Sequence, residues 1–288
     1  MGESQPPGSQ GHSRPISGRL LGIRVLAGAV LVPAVLGMAY AGGIAFALFA
    51  GLLAALGAYE FHRMASRAGW ATSTAIGIAG SAVACVSFQF GGPDLPGLVL
   101  GGLLILLAVE RLVRSSREKY LAGLAVTFLG IAYCGWLLGF FVWLRNFESS
   151  GLEAGPRLVY LVLVLAWSYD SLAYLAGSLF GRRKLFPRIS PSKTVEGTAA
   201  GLVASVVAAL VSRATFVPFL GRADAVILGL VVGAAAQAGD LAESMIKRSL
   251  GAKDSSSLIP GHGGFLDRTD SLLVAGPVFY FYVRLFLA

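Results

Sequence analysis

The amino-acid sequence predicts an all-α, polytopic integral membrane protein, and three observations carry that reading. Of 288 residues, 56% are hydrophobic and only 13% are charged. The mean hydropathy of +0.73 is well above that of an ordinary soluble domain. Apolar runs then follow one another along the chain, many long enough to cross a hydrocarbon core about 30 Å thick, which takes about 20 helical residues. The 38 glycines suit the close approach of transmembrane helices.

A net charge of +8 would point a soluble chain toward nucleic acid. Here the basic residues sit in loops between apolar runs, so they read as topology signals and no nucleic-acid partner is expected. Residues 1–18, rich in Gly, Ser, Pro and Gln, lead into no small-residue cleavage site and read as a disordered tail. From 24 to 59 the chain is almost uncharged and too long for one crossing, and the glycines at 37–43 supply a break between two short spans. Further apolar runs occupy about 72–90, 96–113, 121–144, 157–180, 197–220, 224–240 and 271–287, for about nine spans. They divide into an N-terminal transmembrane region, 19–150, and a C-terminal one, 151–288, where the candidate chemistry lies.

With a cytoplasmic N-terminus, Arg145, Arg157, Arg213, Arg222 and Arg284 fall outside, which leaves 18 of the 23 basic residues inside. The positive-inside rule expects that bias, so the polar loops face the cytoplasm. Cys85 and Cys134 lie within apolar runs at no metal-ligand spacing and read as packing residues. The Gly177–Gly181 pair has the spacing of close helix contact.

Chemistry concentrates in four places. Asp170 lies deep in an apolar run, where a carboxylate costs several kcal/mol unless it faces a cavity or a partner. The loop at 181–197 carries Arg182, Arg183, Lys184 and Arg188 and then Ser190-Pro191-Ser192-Lys193-Thr194-Val195-Glu196-Gly197. In it Pro191 stiffens a turn, while Ser190, Lys193 and Thr194 supply donors suited to phosphate oxygens ahead of a helix. Asp240, Glu243, Ser244 and Lys247 fall on one face of a continuing helix. Asp267 and Asp270, three apart at the head of the last span, could share a hard cation such as Mg²⁺, although a pair of acids there usually caps a helix. Before them stand His262-Gly263-Gly264, where glycines allow backbone N–H groups close to a phosphate. Arg268 places a fixed positive charge between the acids. Carboxylate-held metal among basic groups is the equipment of phosphoryl or nucleotidyl transfer. No P-loop, His-Glu-x-x-His element or Cys/His cluster is present in the sequence.

Ser244-x-Ile246-Lys247-Arg248, Lys253-Asp254 and His262-Gly263-Gly264-Phe265-x-Asp267-Arg268-Thr269-Asp270 resemble, position by position, the signature of the phosphatidate cytidylyltransferases, or CDP-diacylglycerol synthases. Asp170 to Gly181 and Ser190 to Gly197 are similar to the same family, and Tyr59-Glu60-Phe61-His62-Arg63-Met64 is a weaker echo. The resemblance implies transfer of CMP from CTP to phosphatidate, a membrane lipid, giving CDP-diacylglycerol and pyrophosphate. It also implies a divalent metal, Mg²⁺ or Mn²⁺, held by Asp240, Asp267 and Asp270, and a monovalent cation such as K⁺. Lys247 and Arg268 join those acids as catalytic groups. Lys193, Arg248 and Lys253 would bind triphosphate or phosphatidate together with Asp170, Ser190, Thr194, Glu196 and Ser244, while His262, Gly263 and Gly264 shape the pocket. A homodimer is the family's habit, and the expected location is a bacterial inner membrane with the site facing the cytoplasm. Ser192 departs from the family's usual lysine, which bears on affinity and not on reaction type. An ion-coupled lipid transporter would want discontinuous helices and an internal repeat, neither of which is visible. A CTP-dependent lipid kinase would share the cation site and release CDP.

Overall fold

A computed structural model describes residues 18–90, 92–114, 117–148, 154–256 and 263–287; for 18–27, 117 and 118 only the backbone is described. The expected tail at 1–18 lies outside these residues except for Gly18, which opens the first helix.

Each expected apolar run is a helix. The first pair, α1 (Gly18–Ala41) and α2 (Gly43–Arg67), breaks at Gly42. Gly42 and Gly43 have φ of 67° and 54°, a left-handed conformation that side chains with a Cβ rarely adopt. Arg145 fills the space beside Gly42 and donates to the carbonyl oxygens of Ala39 and Tyr40, so the open end of α1 is capped from across the bundle.

Next come α3 (Thr74–Val86), which tightens into a 3₁₀ turn at Ser87–Gln89, and α4 (Asp94–Arg114). α5 (Arg117–Gly130), a π-helical stretch Ile131–Trp136 and α6 (Leu137–Arg145) make one rod. α7 (Gly155–Phe180) leads to α8 (Val195–Thr215), α9 (Arg222–Ser249) and α10 (Leu266–Phe286). Among the described residues, six helical segments are long and apolar enough to cross a membrane: Gly43–Arg67, Asp94–Arg114, Lys119–Arg145, Gly155–Phe180, Val195–Thr215 and Arg222–Ser249. The apolar stretches Gly28–Ala41 and Thr74–Gln89 are shorter, and α10, which carries Asp267, Arg268, Asp270 and Arg284, is not one of the six.

The outer surface explains how such a chain is solvated. Leu98, Ile105, Leu112, Val113 and Leu121 are 68–78% exposed, an arrangement suited to lipid and not to water. Inside, one hydrophobic core runs from Ala39 to Val283 and takes in residues of both the N- and C-terminal regions. An aromatic cluster of Phe88, Trp136, Phe140, Trp143, Tyr280 and Phe281 ties the 3₁₀ turn to α6 and α10, with ring centroids 4.4–6.1 Å apart. Both cysteines are buried and unbridged.

One local feature departs from the sequence reading. The loop after α7 folds into an antiparallel hairpin of β1 (Lys184–Phe186) and β2 (Ser190–Thr194), with Lys184 opposite Thr194 and Phe186 opposite Ser190. Pro191 therefore lies in a strand and not in a turn, which a two-stranded edge tolerates because its missing N–H has no ladder to serve. The Gly177–Gly181 pair works as packing: a Cβ on Gly197 would come 3.1 Å from Cα of Gly177, so α7 and α8 cross there without side chains between them.

Candidate active site

The site forms where the polar ends of α7, α8, α9 and α10 meet the hairpin. α9 carries the polar stripe the sequence anticipates, since its helix runs unbroken through 249. The stripe is not a solvated face, because Glu243 is 0% exposed. Ser244 Oγ lies 3.4 Å from Asp240 Oδ1, one turn away.

Two lysines knit the separate motifs together. Lys193 Nζ of β2 lies 2.6 Å from Asp240 Oδ2, which joins the hairpin to α9. Lys247 Nζ pairs with Glu243 one turn before it and, at 2.6 Å, with Asp267 Oδ1 at the head of α10. Asp170 of α7 accepts from Ser271 Oγ of α10 at 3.0 Å. A Cβ on Gly239 would strike the backbone of Asp270, 3.2 Å from its carbonyl carbon, so the glycine lets α9 and α10 touch where the acids lie.

The structure separates Asp267 from Asp270. Besides Lys247, Asp267 accepts from Ser255 N (3.1 Å), Ser255 Oγ (2.8 Å) and Gly264 N (2.9 Å), so its carboxylate closes the N-terminus of α10 and orders the segment before it. The Gly264 N–H that was expected to meet a phosphate is thus directed at Asp267. Asp270 accepts from the N–H of Ser271 at 2.7 Å and forms no ion pair among the described residues. It lies within electrostatic reach of Asp240, Glu243 and Asp170. With Asp267, five acids thus stand around two lysines, an excess of negative charge in a partly buried place that suits a hard cation. Among the described residues no group of three or more His, Cys, Asp and Glu side chains is arranged to hold a metal ion.

Other expected contacts take structural parts. Thr194, 3% exposed, caps α8 by accepting from Gly197 N at 3.1 Å. Glu196 accepts from the N–H groups of Arg182 (3.1 Å) and Arg183 (3.2 Å) and braces the base of the hairpin. Ser190 Oγ lies 3.4 Å from the exposed Ser192. Arg248, in the last turn of α9, donates from its guanidinium to Ala252 O at 3.3 Å and is exposed, as is Lys253 beyond the helix end. Gly263 has φ of 87°. His262 lies outside the described residues.

A cavity of about 450 Å³ opens beside this cluster. Asp170, Asp267, Arg268 and Asp270 line its polar end, while its walls are apolar, from Val32 of α1 and Phe49 of α2 to Phe141 of α6 and Leu163 of α7. One carboxylate outside the expected set also reaches the site: Glu60 of α2, 0% exposed, bonds to the segment between α9 and α10. Its sequence signal is a carboxylate at the end of a nearly uncharged run.

Fold and site together define an integral membrane protein whose charged groups converge at one end of a helical bundle, next to an apolar cavity. The chain belongs to the cytidylyltransferase family, whose model matches residues 22–286. It is 37% identical over 185 residues to the uncharacterized protein YnbB of Escherichia coli K12, covering 64% of this chain and 61% of that one. To the phosphatidate cytidylyltransferase of Bacillus subtilis it is 36% identical over 199 residues, 69% of this chain and 72% of the relative. With that of Pseudomonas aeruginosa the identity is 35% over 280 residues, 89% of this chain and 94% of the relative.

Proposed function

We propose that this chain transfers CMP from CTP to phosphatidate, forming CDP-diacylglycerol and pyrophosphate. The single observation that carries the reading is the cavity with a charged end and apolar walls, because a substrate of that shape has an anionic head and hydrocarbon tails. Family membership and the relatives named phosphatidate cytidylyltransferase support the same chemistry.

A phosphatidate oxygen attacks the α-phosphorus of CTP, a new P–O bond forms, and the bond from the α-phosphorus to the bridging oxygen breaks to release pyrophosphate. The attacking oxygen is already ionised at neutral pH, so no general base is needed. The protein's task is to bring two anions together and stabilise the charge that moves to the leaving group. Lys193 and Lys247 lie in the site, Arg268 lines the cavity, and Arg248 and Lys253 extend the positive charge toward water. Asp240 and Asp270 would hold a divalent cation such as Mg²⁺ or Mn²⁺, which usually keeps waters and substrate phosphate oxygens as its other ligands. When bound, that cation would screen the phosphate charges from one another. Asp267 holds Lys247 in place.

The same reading takes the nine helical rods among the described residues as nine crossings with the site on the cytoplasmic side, where CTP is dissolved. Purified protein in detergent, given CTP, phosphatidate and Mg²⁺, should release pyrophosphate. Release of CDP would instead identify a lipid kinase, and no product of either kind would remove the assignment.

A further inference from the structure

We propose that Glu60 is a positioning residue for the site, acting from α2 on the segment that joins α9 to α10. Its kinetic consequence rests on the transfer reaction proposed above, whereas its geometry does not. The Glu60 carboxylate is fully buried and accepts four hydrogen bonds. Oε1 takes Ser256 Oγ at 2.5 Å and Phe265 N at 2.9 Å. Oε2 takes Ser255 Oγ at 3.0 Å and Leu266 N at 2.8 Å. The two backbone donors open α10, where an anion also meets the positive end of the helix.

The four donors explain why the residue is a glutamate. Both oxygens must act only as acceptors, so a glutamine would turn an NH₂ group toward two of the donors. An aspartate keeps the charge and shortens the reach. One turn before Glu60, a Cβ on Gly57 would lie 3.6 Å from Leu266 Cδ1, so α2 and α10 already touch at this crossing.

The contacts do not stop at the helix end. Ser255 Oγ lies between Glu60 Oε2 and Asp267 Oδ2, at 3.0 Å and 2.8 Å, with one hydroxyl hydrogen between two carboxylates. Asp267 in turn holds Lys247 at 2.6 Å, and Lys247 holds Glu243. An unbroken set of contacts therefore links α2 to the basic group on α9. Among the described residues, the hydrogen bonds to Glu60 given above meet the cavity lining at Phe265 alone, so Glu60 acts through other residues.

The test uses the full chain in detergent with three substitutions, Glu60→Gln, Glu60→Asp and Ser255→Ala. Pyrophosphate release gives kcat and the KM for CTP, and amide hydrogen exchange reads the N–H groups of Phe265 and Leu266. Glu60→Gln should speed exchange at those two amides and lower kcat on the order of 100-fold, as a misplacement of about 1 Å can, with a smaller change in KM. Glu60→Asp should recover part of the rate. Exchange that stays at the wild-type level in Glu60→Gln would overturn the clamp. Faster exchange with kcat within about twofold of wild type would overturn the positioning role. Should Glu60→Gln not fold, Ser255→Ala keeps three of the four bonds to Glu60 and is expected to lower kcat about tenfold; unchanged kcat there counts against the proposal. A wild-type protein that releases no pyrophosphate would defeat the transfer reaction alone, leaving the exchange measurement to judge the clamp.

Discussion

Lys247 and Asp240 carry similar motif weight in the sequence, yet the structure gives their substitutions different outcomes. Lys247, 12% exposed in its side chain, stands between Glu243 and Asp267, themselves 0% and 13% exposed. Lys247→Met would leave two buried carboxylates without their cation, a loss of about 3–5 kcal/mol visible as a lower melting temperature as well as lost turnover. The Lys193–Asp240 pair is more open, at 16% and 32%, and contributes about 1 kcal/mol or less. Asp240→Asn should therefore melt close to wild type while pyrophosphate release falls by about 100-fold or more. Gly264→Ala belongs to a third class, because the new Cβ would stand 2.7 Å from Glu60 Oε2 and closer still to Ser255 Oγ. It is expected to cost about 1–3 kcal/mol in thermal unfolding through overpacking. At this scale the residue types were legible and their partners were not. Asp267 and Asp270 share a helical face by spacing, and only the fold reveals that one turns to Lys247 and the preceding segment while the other turns to the acids of α7 and α9.

The helices themselves were legible because their apolar runs are long and their interruptions are charged or glycine-rich. The break at Gly42 falls inside the glycine-rich stretch that the sequence marks, and α9 continues as its polar stripe requires. The hairpin was not legible: three and five residues of mixed polarity with a proline leave no alternation to read. What holds it is its attachment to α8. Thr194 caps that helix and Glu196 holds the N–H groups of Arg182 and Arg183, so the same short stretch starts α8 and aims Lys193 at Asp240. Thr194→Ala should cost about 1 kcal/mol in detergent melting, the usual loss for a capping residue. Glu196→Gln should speed amide exchange at Arg182 and Arg183 and weaken CTP binding, since Lys193 would lose its fixed base. Amides that exchange as in wild type would show the brace to be idle. Glu60 illustrates the other limit on sequence reading, since its partners lie 195 to 206 residues further along the chain.

At the scale of the whole molecule, side chains tie the helix ends together at both ends of the bundle. Arg111 of α4 donates to Ala71 O at 2.8 Å beyond α2, while Arg145 holds the end of α1 and Asn146 meets Gln89 at 2.9 Å at the other end. Because Cys85 and Cys134 are buried, introduced thiols can report sidedness without removing native ones. In cells, Arg188→Cys should resist a membrane-impermeant maleimide until the cytoplasm is opened, whereas Glu148→Cys should label from outside; the reverse pattern would invert the proposed orientation. The cavity carries a further consequence. Its apolar walls include Val32 of α1 and Phe49 of α2, and the large side chains on the outer surface meet hydrocarbon and not water. Under the proposed activity, a double-chained ligand would arrive by sliding within a two-dimensional sheet, never passing through bulk solution. The rate in mixed micelles should then follow the mole fraction of phosphatidate at the surface, and diluting that surface with inert detergent should slow turnover even when the molarity of every reactant is unchanged.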